Sequence, residues 1–138
     1  MKNRHVAVWA EAIGVLVVPY LVLAHHAATN YDTEKLVTLQ GTVTNFKFGN
    51  PHPHVYFQAK DEAGNTVEWV AESGSPPARW YNSGWRGNAL KPGDPVTVTG
   101  NPSKDGRKML RIRKIVNADG KEWTDGAQAE TQAQYPAQ

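Results

Sequence analysis

Histidine offers the most chemistry in this chain. Five occur among the 138 residues: His5, then two pairs, His25/His26 and His52/His54. Imidazole nitrogens bind divalent transition metals, and an α-amine beside the imidazole of the same residue chelates a single ion. Cleavage before His25 would create that amine, whose pKa near 8 leaves part of it deprotonated at neutral pH. His25 would then give amine and imidazole, with His26 and His52 in support, a donor set that suits Cu(II) ahead of Ni(II) and Zn(II). Within Asn50-Pro51-His52-Pro53-His54 two prolines stiffen the backbone, so His52 is preferred to His54 as the third ligand. His52 and His54 project from one face if the following strand begins early. Glu68 and Glu72 could add a carboxylate. The competing reading is local: a tolerated polar chain end, and a proline-rich turn whose histidines hydrogen-bond to their own backbone.

Composition narrows the rest. There is no cysteine, which removes disulfide scaffolds, thiolate zinc sites, iron–sulfur clusters and thiol nucleophiles. A single methionine after Met1 argues against a thioether carrier of Cu(I). The chain has no G-x-S-x-G, no H-E-x-x-H and no phosphate-cradling glycine loop. It is therefore expected not to be an enzyme, with a mononuclear copper enzyme on the N-terminal histidine as the catalytic alternative.

The first segment reads as an address. Lys2 and Arg4 precede AIGVLVVPYLVLA (residues 12–24), the n-region and h-region of a secretory signal peptide. Val22-Leu23-Ala24 ends in small residues at the right spacing, so cleavage is expected after Ala24. Glu11 interrupts the apolar stretch before it reaches the length of a span, so no permanent membrane anchor is expected after cleavage. Residues 1–24 are thus read as a signal peptide, 25–35 as an N-terminal arm, 36–123 as one barrel domain and 124–138 as a disordered tail. The predicted location is periplasmic or secreted.

Five strands must position these residues. Leu36 to Phe48 places Val37, Leu39, Gly41 and Val43 on one face, then moves Phe46 and Phe48 to the other, which predicts a bulge near Asn45. His54 to Lys60 and Thr66 to Glu72 form a hairpin with Val55, Phe57 and Ala59 inward. Ser75 as N-cap and Pro76 at the first helical position introduce a two-turn helix. Pro95 to Gly100 and Met109 to Val116 complete the set. Three strands, a short helix and two strands give an all-β fold, a small five-stranded OB-like barrel, with an open sandwich or SH3-like barrel as the alternative.

A second constellation is basic: Lys104, Arg107, Lys108, Arg111, Arg113 and Lys114. Tyr56, Arg111, Arg113 and Lys114 are candidate partner-binding residues for an envelope protein, a lipid headgroup or an anionic polymer. Cleavage leaves a formal net charge of +1, too little for a typical nucleic-acid binder, so none is expected. Trp69 and Trp85 read as core residues, and Trp80 and Trp123 as the freer pair.

The segments HHAATNYD, KLVTLQGTVTNFKFGNPH, EWVAE, SGWRGNALKPGDPVTVTGNPSKDGRK and ADGK resemble a family of small exported bacterial proteins of unknown function. The resemblance runs from about His25 to Trp123 and implies one OB-like domain behind a signal peptide. It supplies no catalytic residues. His54 departs from its pattern, which has an aliphatic or aromatic residue two places after NPH. The functional expectation is an exported binding module for a divalent transition metal, copper first, held by His25, His26, His52 and His54. The alternative is a metal-free envelope interaction module acting through the barrel face and the basic fifth strand.

Overall fold

Alternation of apolar and polar side chains builds the strands, and their pairing closes them into a ring. The structure is a computed structural model and describes residues 29–125. Its elements are β1 (Val37–Lys47), β2 (His54–Lys60), β3 (Thr66–Glu72), α1 (Pro77–Asn82), β4 (Pro95–Pro102), β5 (Met109–Val116) and β6 (Glu122–Thr124). The sheet runs β3-β2-β1-β4-β5-β6, and a parallel pairing of β3 with β5 closes the first five strands into a mixed barrel. With the helix between β3 and β4, this is the OB arrangement rather than a sandwich or an SH3-like barrel.

β1 serves two sides of the ring. Residues 37–42 pair with β4 and residues 41–47 with β2, and the register shifts between Val43 and Asn45. The bulge turns Phe46 toward Phe48 and Trp80, with ring centroids 5.6 and 6.0 Å away. Gly41 sits at a close approach of β1 and β2, since a Cβ there would meet the Gln58 carbonyl and the Phe57 ring.

The core comprises Val43, Val55, Phe57, Ala59, Ala71, Val98, Leu110, Ile112 and Ile115, with an aromatic cluster at the helix end. Trp80 and Trp123 are not free: they are 0% and 3% exposed and stack at 4.0 Å, with Trp85 edge-on to Trp80 at 5.4 Å. Burying two indoles against each other removes far more apolar surface than either could shed alone. Trp85 is buried as expected, whereas Trp69 is only partly buried and packs against the rim of the core.

The helix begins one residue later than the Ser-Pro signal predicts. Pro76 is the N-cap, without a side-chain cap bond, and the helix has six residues. Ser75 Oγ instead donates to Asp125 Oδ1 at 2.8 Å. Trp80 Nε1 donates to Ser73 Oγ at 2.9 Å, which ties the helix to the end of β3. The sheet also continues beyond Trp123: Thr124 pairs with Lys114, and the Asp125 amide donates to the Arg113 carbonyl at 2.9 Å. The expected signal peptide, His25, His26 and residues 126–138 lie outside the described residues.

Candidate functional site

β2 begins at His54, immediately after a loop with a cis Asn50-Pro51 bond. Because Val55, Phe57 and Ala59 take the buried side, His54 falls on the outer face, directly opposite Glu72 of β3. Cross-strand partners bring their side chains together. His54 Nε2 lies 3.8 Å from Glu72 Oε1. His54 Nδ1 lies 2.9 Å from the His52 carbonyl oxygen. A carbonyl only accepts, so the Nδ1 nitrogen carries a proton, and Nε2 is the ring nitrogen that faces Glu72.

The other carboxylate oxygen of Glu72 is held from the N-terminal arm. Tyr31 Oη donates to Glu72 Oε2 at 2.9 Å. The arm itself is pinned by a Tyr31–Ser103 bridge and by the Asp32 amide, which donates to the Pro102 carbonyl at 2.9 Å. Burial raises the pKa of the Tyr31 phenol well above its usual value. The Glu72 charge and hydrogen bond add to the rise, while Arg107 and Arg111 oppose it. The phenol therefore stays a donor at physiological pH. Arg111 stands beside Glu72 in the parallel β3–β5 register. Its guanidinium occupies the space where a side chain at Gly74 would begin.

The result is a line of groups: His52 carbonyl, His54 imidazole, Glu72 carboxylate, Tyr31 phenol. An imidazole with its far nitrogen tied to a carbonyl, facing a carboxylate fixed by a phenol, is the oriented donor pair that metal ions and acid–base chemistry both use. Among the described residues, no three His, Asp or Glu side chains converge as a ligand group.

β2 begins only at His54, so His52 stands in the loop ahead of the strand. His52 Nδ1 is buried with no hydrogen-bond partner. Glu68 accepts from Thr44 Oγ1 at 3.1 Å. The basic residues are largely engaged with neighbours. Arg113 Nε donates to Asn101 Oδ1 at 2.5 Å, Lys114 Nζ lies 2.7 Å from Glu122, and Arg107 Nε lies 2.6 Å from Asp105. Tyr56 lies under the Lys47 ammonium at 5.2 Å. Sequence reading did not pick out Tyr31. Its one signal is a large aromatic in an otherwise small and polar arm, TNYD, which suggests an anchor rather than a ligand.

These features define a small OB-type barrel domain with a histidine–carboxylate–phenol line where the N-terminal arm meets the β2–β3 ladder. The chain belongs to a family of unknown function (DUF6152), whose sequence profile matches residues 13–111. No curated protein matches it. Among solved structures it is similar to a tRNA fluorescent labeling enzyme, at 22% identity and a TM-score of 0.41, over 62% of this chain and 18% of that one. It is also similar to TiaS in complex with an isoleucine tRNA, AMPCPP and agmatine, at 23% identity and a TM-score of 0.38, over 63% and 19% of the two chains. The chain thus spans about a fifth of the length of these structures. At such scores the tRNA-related roles belong to those proteins alone.

Proposed function

We propose that the protein is an exported binding module, not an enzyme, whose ligand is a divalent transition metal, with Cu(II) first. The observation that carries this reading is the oriented pair of His54 Nε2 and Glu72 Oε1, 3.8 Å apart. Metal bonds to imidazole nitrogen and carboxylate oxygen are each roughly 2.1 Å long, so one ion between the two atoms reaches both. His52 contributes its carbonyl to the orientation of His54, which favours His54 over His52 as the ligand.

The arm supplies the remaining donors. His26 precedes Tyr31 by five residues. Tyr31 already touches Glu72, so on this reading His26 and the amine and imidazole of His25 come from the chain just ahead of that anchor. The basic n-region and the apolar stretch ending at Ala24 support export, which would expose that amine. The alternative, a metal-free envelope interaction module, draws less support from β5, because Arg113 and Lys114 are both engaged by neighbours.

Mass spectrometry of the exported protein is expected to find His25 at the mature terminus, and any other terminus overturns the role of the amine. Titration with Cu(II) followed by electron paramagnetic resonance is expected to give one stoichiometric type-2 signal. His54→Ala should weaken it by at least about 100-fold, while Tyr31→Phe, which only orients Glu72, should cost about tenfold. Binding that His54→Ala leaves unchanged would sink the site.

A further inference from the structure

The two ends of the barrel are closed differently. At one, α1 brings Trp80 onto Trp85, Trp123 and Phe46. At the other, where β1, β3 and β5 begin, Leu39 and Trp69 are only partly buried. A cleft of about 490 Å³ opens there, lined by Val37, Leu39, Ala63 and Trp69 with Lys60 and Lys108 at its edge. That volume falls within the ordinary range of small-ligand sites. Leu36, next in chain to Val37, is exposed.

Trp69 carries the more specific signal. Its Nε1 is buried with no acceptor, one of two such side-chain atoms among the described residues. Buried polar groups in folded proteins are normally bonded, so an orphan donor beside a cleft calls for an acceptor from outside the chain. The Lys108 ammonium lies 5.2 Å from the centre of the same indole ring. Asp61 and Glu62 also line the cleft, and Asp61 feels the Lys108 charge, but neither forms an ion pair with Lys108 among the described residues. Asp61 is committed to its own turn, accepting from the Asn65 amide at 2.8 Å and from its side chain at 3.3 Å, which holds its carboxyl below the usual range. Glu62 is exposed on that turn. Lys60 is tied to Thr66 Oγ1 at 2.7 Å, whereas the exposed Lys108 ammonium rests over the Trp69 ring without a hydrogen-bonded partner among the described residues.

We infer that this open mouth is a binding site for a small amphipathic carboxylate, its aliphatic body against Leu39, Val37 and Trp69 and its head bridging Trp69 Nε1–H and Lys108. Rotation of the exposed Lys108 side chain from over the ring admits the head. The site is separate from the His54–Glu72 pair and does not depend on metal binding.

Octanoate and octan-1-ol, which share a tail and differ in charge, test this on the full chain. Calorimetry and the indole N–H resonances in ¹⁵N-correlated NMR are the readouts, the Trp69 signal being assigned as the one that Trp69→Phe removes. Octanoate is expected to bind saturably, to shift that signal, and to bind about tenfold or more tighter than octanol, since its head takes a charge-assisted hydrogen bond. Lys108→Met should weaken octanoate by about tenfold and leave octanol unchanged, and His54→Ala should alter neither. Lys108 is exposed, so its variant stays informative if Trp69→Phe fails to fold. No saturable octanoate binding, equal affinity for the two ligands, or indifference to Lys108→Met would each overturn the inference.

Discussion

Tyr31 concentrates much of the site's energetics in one hydroxyl. Its ring is 4% exposed and its hydroxyl donates to a carboxylate, a bond worth about 1.5–3 kcal/mol where one partner is charged. Tyr31→Phe keeps the ring and deletes the bond, so it should destabilise the fold by about that amount, read as a lower urea midpoint at pH 7. A pH dependence follows. The folded-state pKa of Tyr31 is raised by burial and by Glu72. The stabilisation is therefore complete below the unfolded tyrosine value near 10 and is lost as pH rises from there toward the folded value. Between pH 8 and 11 the wild-type midpoint should fall more steeply than that of Tyr31→Phe, and parallel slopes would exclude a protonated, buried phenol. At this scale the sequence was partly legible. The two histidines and Glu72 stand out by type, but the pairing of His54 with Glu72 depends on strand register. The reach of Tyr31 to a residue 41 positions away is a tertiary contact that no local pattern encodes.

Elements follow their local signals wherever two physical causes agree. β2, β3 and β5 begin and end where alternation meets turn residues, while β6 has three residues and carries no period to read. Within β1, the change of face after Val43 gives away the bulge, and Gly41 turns out to mark a close approach two residues earlier. Gly41→Ala would push a methyl group into the Gln58 carbonyl and the Phe57 ring, neither of which can yield without moving β2. The expected cost is about 1–3 kcal/mol, as for other overpacked sites. Gly49→Ala, with nothing within 4 Å of its new carbon, is the control and should leave the midpoint within about 0.5 kcal/mol. Equal effects would mean that backbone entropy, not the crossing of strands, explains the glycine. The helix shows the opposite case. Ser75 reads as a cap by type, yet Asp125 takes its hydroxyl, because a buried carboxylate needs a donor more than one short helix needs a cap.

Over the whole molecule, stability and openness sit at opposite ends of one barrel. The helix end unites distant segments: Trp80 follows β3, Trp123 lies in β6, and their stacked rings join the first half of the domain to its last strand. Asp125 repeats the link through Ser75 and through the Arg113 carbonyl. Trp123→Ala removes a ring that is 3% exposed and leaves Trp80 facing a void, so it should cost about 3–5 kcal/mol, a large share of what a domain of this size has. Trp69→Phe at the opposite mouth replaces one partly buried ring with another and deletes a donor that has no acceptor. It should change stability by less than about 1 kcal/mol, in either direction, because an unpaired buried group loses nothing when it is removed. Thermal unfolding of the two variants side by side measures the asymmetry. Comparable losses would mean that both ends are structural, and the cleft beside Trp69 would then be a packing fault rather than a place for a ligand.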